Sequence, residues 1–120
     1  MIVKKESACE QFIANDGCRI RELLHPKNDP IGTGFSLAIA EVAVGGRTVR
    51  HRLHQDEAYF IVAGTGIAHV NGERHPVGSG DAVFIPGGDE QWIENSGETM
   101  LKFAAIVAPP WRAEDDERLD

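Results

Sequence analysis

A chain of 120 residues, 42% hydrophobic and 26% charged, has the size and makeup of one globular domain with a single core. Its formal charge of −7, without a cluster of Lys or Arg, argues against nucleic acid or an anionic membrane surface as a partner. No run approaches the ~20 apolar residues of a spanning helix, and the opening MIVKKESACEQ develops no secretory leader; a cytoplasmic location is expected, with Cys9 and Cys18 as structural thiols rather than a disulfide.

In chain order, residues 1–17 carry Ile2, Val3, Phe12 and Ile13 but no strong strand pattern of their own. Strand-length apolar segments then follow at 18–24, 35–44, 48–54, 58–64, 67–72, 81–86, 91–95 and 100–108. Thirteen glycines punctuate them, as in GTG at 64–66, GSGD at 78–81 and PGGD at 86–89. Regular short strands separated by turn signals predict an all-β sandwich or barrel. IAHVNGERHPV reads as a hairpin turning at Asn71-Gly72, which leaves His69 and His75 exposed. The tail WRAEDDERLD, at 111–120, reads as a solvated turn or frayed helix, with Trp111 packing back on the domain.

Side chains alternate across a strand, so parity assigns faces. In TVRHRLH, Thr48, Arg50, Arg52 and His54 share the polar face, which turns Val49, His51 and Leu53 inward. Gln91, Ile93 and Asn95 share a face, Glu57 is in phase with Tyr59 and Ile61, and Glu22 is in phase with Ile20. An inward histidine and an inward glutamate on neighbouring strands can meet.

Two spaced motifs carry a family resemblance. Gly45, His51, Leu53, Glu57 and Gly64 fall at the spacing glycine, five residues, HxH, three residues, glutamate, six residues, glycine. Gly80, Pro86, Gly88, Gln91 and Asn95 fall at glycine, five residues, PxG, two residues, histidine, three residues, asparagine. The pattern resembles the cupins, in particular small single-domain bacterial ones, with leucine and glutamine in place of two histidines. The resemblance implies an all-β jelly-roll barrel in one domain, the core at about 18–108, residues 1–17 at a homodimer interface and an acidic tail at 111–120.

The metal positions implied by the resemblance are His51, Leu53, Glu57 and Gln91. Leucine cannot coordinate, and a glutamine carbonyl is a poor substitute for imidazole. The expected ligands of a divalent ion (Fe, Mn, Ni or Zn) are therefore His51, Glu57 and Gln91, with His54 joining if the turn rotates it inward. His51 and Glu57 are the candidates for catalytic groups. Leu53, Tyr59, Phe35, Phe84, Trp92 and Phe103 are the candidates for a ligand pocket. The functional expectation is a barrel that binds a metal and a small organic molecule, as a metal-dependent dioxygenase, isomerase or lyase would. The alternative is a metal-free, non-catalytic barrel in which His51 hydrogen-bonds Glu57 or Gln91. A third reading, a ligand-free assembly module, leaves the inward charge of Glu57 unexplained.

Overall fold

The computed structural model describes residues 1–120, and alternation of apolar and polar residues builds eleven strands within them: β1 (Gln11–Ile13), β2 (Arg19–Leu24), β3 (Ser36–Val42), β4 (His51–Leu53), β5 (Asp56–Ala63), β6 (Thr65–Val70), β7 (Glu73–Gly78), β8 (Ala82–Ile85), β9 (Glu90–Asn95), β10 (Leu101–Ala108) and β11 (Asp116–Arg118). Two single turns of 3-10 helix, Glu6–Ala8 and Ala113–Asp115, complete the regular structure. One sheet runs β1-β2-β3-β10-β5-β8 and the other β11-β4-β9-β6-β7. Every pairing is antiparallel. The two sheets face one another as a jelly roll: the all-β class is the one that strand count and turn spacing predict, and the jelly roll is what the family resemblance implies.

The core follows from strand parity. β10 buries Leu101, Phe103, Ala105 and Val107 and turns the residues between them outward. Ile61, Ile85, Ile93, Leu101 and Phe103 are each at most 2% exposed. Burying a side chain of this size contributes about 1.5–3 kcal/mol against exposure, so these few residues dominate the inter-sheet adhesion. The motif glycines serve the corners. Gly64, between β5 and β6, has φ +85, and a Cβ there would lie 2.5 Å from the Met100 carbonyl oxygen. Only a residue without a side chain fits.

Three expectations need correction. Thr48, placed outside by parity, is fully buried: its hydroxyl accepts a bond from the Ile93 amide at 2.9 Å. The reason is that β4 starts only at His51, so the alternation does not extend back to residue 48. Residues 11–13 form a strand despite their weak pattern, because β2 offers an unpaired edge, with Gln11 opposite Arg21. The acidic tail is neither frayed nor helical in its last residues. β11 pairs with β4, placing Asp116 opposite Leu53, and Asp120 bonds Arg47 at 2.9 Å and Arg50 at 2.8 Å. An open strand edge flanked by arginines captures acids that have no pattern of their own.

The outer face of the six-stranded sheet is apolar: Phe60, Val62, Phe84 and Ile106 are 46%, 44%, 64% and 37% exposed.

Candidate functional site

β4 delivers His51 to the interior, 4% exposed, directly across from Gln91 on β9. The His51 Nδ1 lies 3.0 Å from the Val49 carbonyl oxygen. A carbonyl can only accept, so Nδ1 carries a proton, and the Nε2 edge is left for the interior. Asp16 Oδ2 is 4.0 Å from that Nε2, beyond a hydrogen bond. Asp16 is itself fixed by the β1–β2 turn: its Oδ1 accepts from the Cys18 amide at 3.1 Å and the Cys18 thiol at 2.9 Å. Burial first, and then the neighbouring Asp16 charge, push the Cys18 thiol well above its ordinary pKa.

β5 delivers Glu57 from the opposing sheet, in register with Val107 of β10. The expectation that the inward histidine and glutamate stand on neighbouring strands is therefore corrected: His51 and Gln91 stand on the five-stranded sheet, and Glu57 faces from the other. β4 and β5 are consecutive but separated by a corner at His54-Gln55, so they do not pair. Glu57 is 8% exposed, and its Oε1 has no hydrogen-bond partner. Burial raises its pKa to about 8; the Gln91 amide opposes the rise, while the charges of Asp16 and Asp116 add to it. At neutral pH burial therefore holds this group toward its neutral acid form.

Between the sheets lies a cavity of about 290 Å³. His51, Leu53 and Glu57 form one part of its wall. The remainder includes residues outside the two motifs: Phe12, Asp16 and Glu22 from the N-terminal hairpin, and Trp111 and Asp116 from the tail. Trp111 is anchored on several sides. Its amide donates to Ser36 Oγ at 3.0 Å, its carbonyl accepts from His25 Nε2 at 2.8 Å, and its indole donates to Asp116 Oδ2 at 3.1 Å. The other carboxylate oxygen of Asp116, Oδ1, is buried without a partner.

The structure distributes the other expected site residues differently. Gln91 is 1% exposed, but its carbonyl oxygen accepts the Tyr59 hydroxyl at 2.6 Å, so this pair is internal structure. Phe103 stacks its ring 4.4 Å from that of Tyr59, within the core. His54 does not join the site: its side chain is 63% exposed and sits 3.5 Å from Asp115, as its place on the arginine face of β4 dictates. Trp92 faces outward, with the His69 ring stacked at 3.5 Å and the Arg47 guanidinium 4.2 Å from its centroid; His69, expected to be exposed, is 16% exposed because it is stacked on Trp92 and bonded to Glu94 at 3.1 Å. Phe35 and Phe84 are exposed. These aromatics do not line the cavity between the sheets because they lie on the outer parity of their strands or in a loop. The residues missed, Asp16, Trp111 and Asp116, sit in a turn and a tail where no periodicity assigns a face. The Asn15-Asp16-Gly17 turn was the one legible signal.

The donor set does not fit a resident metal ion. Leu53 occupies one ligand position, 2% exposed, and Gln91 spends its carbonyl oxygen on Tyr59. No group of three or more His, Cys, Asp or Glu side chains is placed around a common point for an ion.

Comparison with known proteins agrees with this architecture. The sequence profile described as the cupin domain matches residues 38–107. An uncharacterized protein of Methanocaldococcus jannaschii is 39% identical over 99% of this chain and 96% of its own length. The oxalate-binding protein of Thermotoga maritima is 41% identical over 51 residues, 42% of each chain. The crystal structure of a predicted oxalate decarboxylase from Thermotoga maritima superimposes with a TM-score of 0.78 at 26% identity, covering 90% of this chain and 99% of that one.

Proposed function

This chain belongs to the cupin family, and from that premise we propose that it is a metal-free barrel binding a small organic molecule between its sheets. The observation that carries the reading is the unpartnered Oε1 of Glu57, buried in the wall of a cavity that His51 also lines. A buried polar atom without a partner costs about 1–3 kcal/mol, and a ligand donor bound in the cavity recovers that cost. The volume of about 290 Å³ lies at the small end of ligand pockets, suiting a metabolite rather than a polymer. Leu53, Phe12, Val107 and Trp111 supply apolar surface for its carbon skeleton.

A metal-dependent enzyme is the second reading, favoured by the positions of His51 and Glu57, which match the metal-ligand spacing of the cupin motif. The oxalate chemistry named for the Thermotoga proteins fits less well. Asp16, Glu22 and Asp116 line the cavity and no Lys or Arg does, so a dianion would meet acidic side chains without a fixed cation to pair with.

The test is ligand binding by protein stripped with EDTA, followed through the His51 imidazole resonances, with elemental analysis of untreated protein alongside. The reading expects small organic molecules to shift His51 with no divalent ion present. Stoichiometric transition metal in the purified protein, or binding that requires added metal, would overturn it.

A further inference from the structure

From this cavity, and resting on the reading of it as a small-molecule site, we propose that the ligand is a small organic cation bearing N–H donors, such as a primary ammonium or amidinium, and that Asp116 and Asp16 select for it. Three acceptors of the wall lack a donor within the chain. Glu57 Oε1 and Asp116 Oδ1 are buried without partners. With its Nδ1 proton committed to the Val49 carbonyl, the other ring nitrogen of His51, Nε2, has no hydrogen-bond partner within the chain. All three residues line the one cavity, and the charge of Asp116 reaches Glu57. An ammonium carries three donors and no acceptor, and its positive charge would favour the carboxylate form of Glu57, which then accepts alongside the other two; a carboxylate ligand carries acceptors only.

Charge points the same way. Lys27 Nζ lies 5.3 Å over the Trp111 ring and is bound to Glu22 at 3.1 Å, but Lys27 does not line the cavity. Trp111 and Phe12 are aromatic members of the wall. Carboxylates beside an aromatic face, sheltered from water, are the chemistry that recognises organic cations. A neutral polyol could satisfy the same oxygens, but it would leave the wall's negative charge unbalanced.

Benzylammonium, benzyl alcohol and benzoate share one skeleton and differ in the group presented, which makes them the probes. Each is titrated into EDTA-treated full-length protein, with binding read by calorimetry and located by the His51 resonances. Benzylammonium should bind at least about tenfold more tightly than benzyl alcohol, because hydrogen bonds to charged groups contribute more than neutral ones. Asp116→Asn keeps an acceptor for the Trp111 indole while removing the charge. It should remove most of the ammonium advantage and change benzyl alcohol binding less than about twofold. Asp16→Asn, which still offers Cys18 an oxygen, is the second variant and should act in the same direction should Asp116→Asn fail to fold by circular dichroism. Equal or tighter binding of benzyl alcohol or benzoate overturns the cation inference and leaves the small-molecule site standing. An ammonium advantage untouched by either variant overturns the roles of Asp116 and Asp16. Failure of all three probes to shift His51 overturns both the inference and the reading beneath it.

Discussion

Replacing Glu57 by Gln should remove most of the pH dependence of stability between about pH 4.5 and 8. The group titrates from its ordinary 4.5 in the unfolded chain to about 8 in the fold, chiefly because burial disfavours its charge. The raised value means that the folded state holds a proton the unfolded state gives up. Stability from this group is therefore fully present below the unfolded pKa, declines as pH rises, and is lost once pH passes the folded value. A difference of about 3.5 units at ~1.4 kcal/mol per unit gives roughly 5 kcal/mol across the window, a large part of a domain's total stability. Urea unfolding of parent and Glu57→Gln at half-unit steps supplies the test, and the difference between the two curves cancels the other titrating groups. Glutamine keeps the shape and stays neutral, so the variant should gain on the parent steadily from pH 5 to 8. A difference curve flat to within about 1 kcal/mol would refute the reasoning. It would mean that Glu57 is ionised in the fold and meets a positive partner there, a metal ion foremost.

Four further outcomes are expected. Gly64→Ala should cost more than Gly72→Ala in chemical denaturation: both have strongly positive φ, worth about 1–3 kcal/mol each, but only at Gly64 does a methyl also strike the Met100 carbonyl. Tyr59→Phe should cost about 1–3 kcal/mol at unchanged m-value, because it strips the buried Gln91 oxygen of its only donor. Leu53→His combined with Gln91→His should create calorimetrically detectable Zn or Ni binding where the parent shows none, since both positions are inward and share a face with His51. Because β1 pairs with β2 of its own chain, the dimer interface expected at residues 1–17 is better sought on the outer face carrying Phe60, Val62, Phe84 and Ile106; light scattering should give a dimer, and Phe84→Glu a monomer.

Parity was the most informative feature of the sequence where strands were long. It placed Glu57, Tyr59 and Ile61 on one buried face of β5, and Gln91, Ile93 and Asn95 on one buried face of β9. It turned His51 and Leu53 inward correctly because the flanking arginines mark the outer face. It failed at Thr48, one step outside the short strand, where a hydroxyl joined to the Ile93 amide overrides the pattern. The aromatics were misplaced for a related reason. Trp92 and Phe84 look like pocket material by composition, yet each lies on the outer parity of its own strand, which a check of β8 and β9 would have revealed. Asp16 and Asp116 escaped for a different reason. Their own contacts are local, the Cys18 amide two residues on and the Trp111 indole five residues back, but that the turn and the tail face the cavity depends on β1 pairing with β2 and β11 with β4.

The wall of the cavity is drawn from two sources. The stretch matched by the cupin profile, residues 38–107, supplies His51, Leu53 and Glu57, whereas Asp16, Glu22, Trp111 and Asp116 come from segments flanking it. Scaffold and recognition are thus partly separable modules. The flanks join the barrel through edge pairing, β1 on β2 and β11 on β4, rather than through the interior ladder. Such segments can diverge, or be grafted between related barrels, with little disturbance to the strands beneath. Two cupins with matching central motifs can accordingly accept different molecules, and a survey confined to those motifs would group together proteins whose ligands have nothing in common.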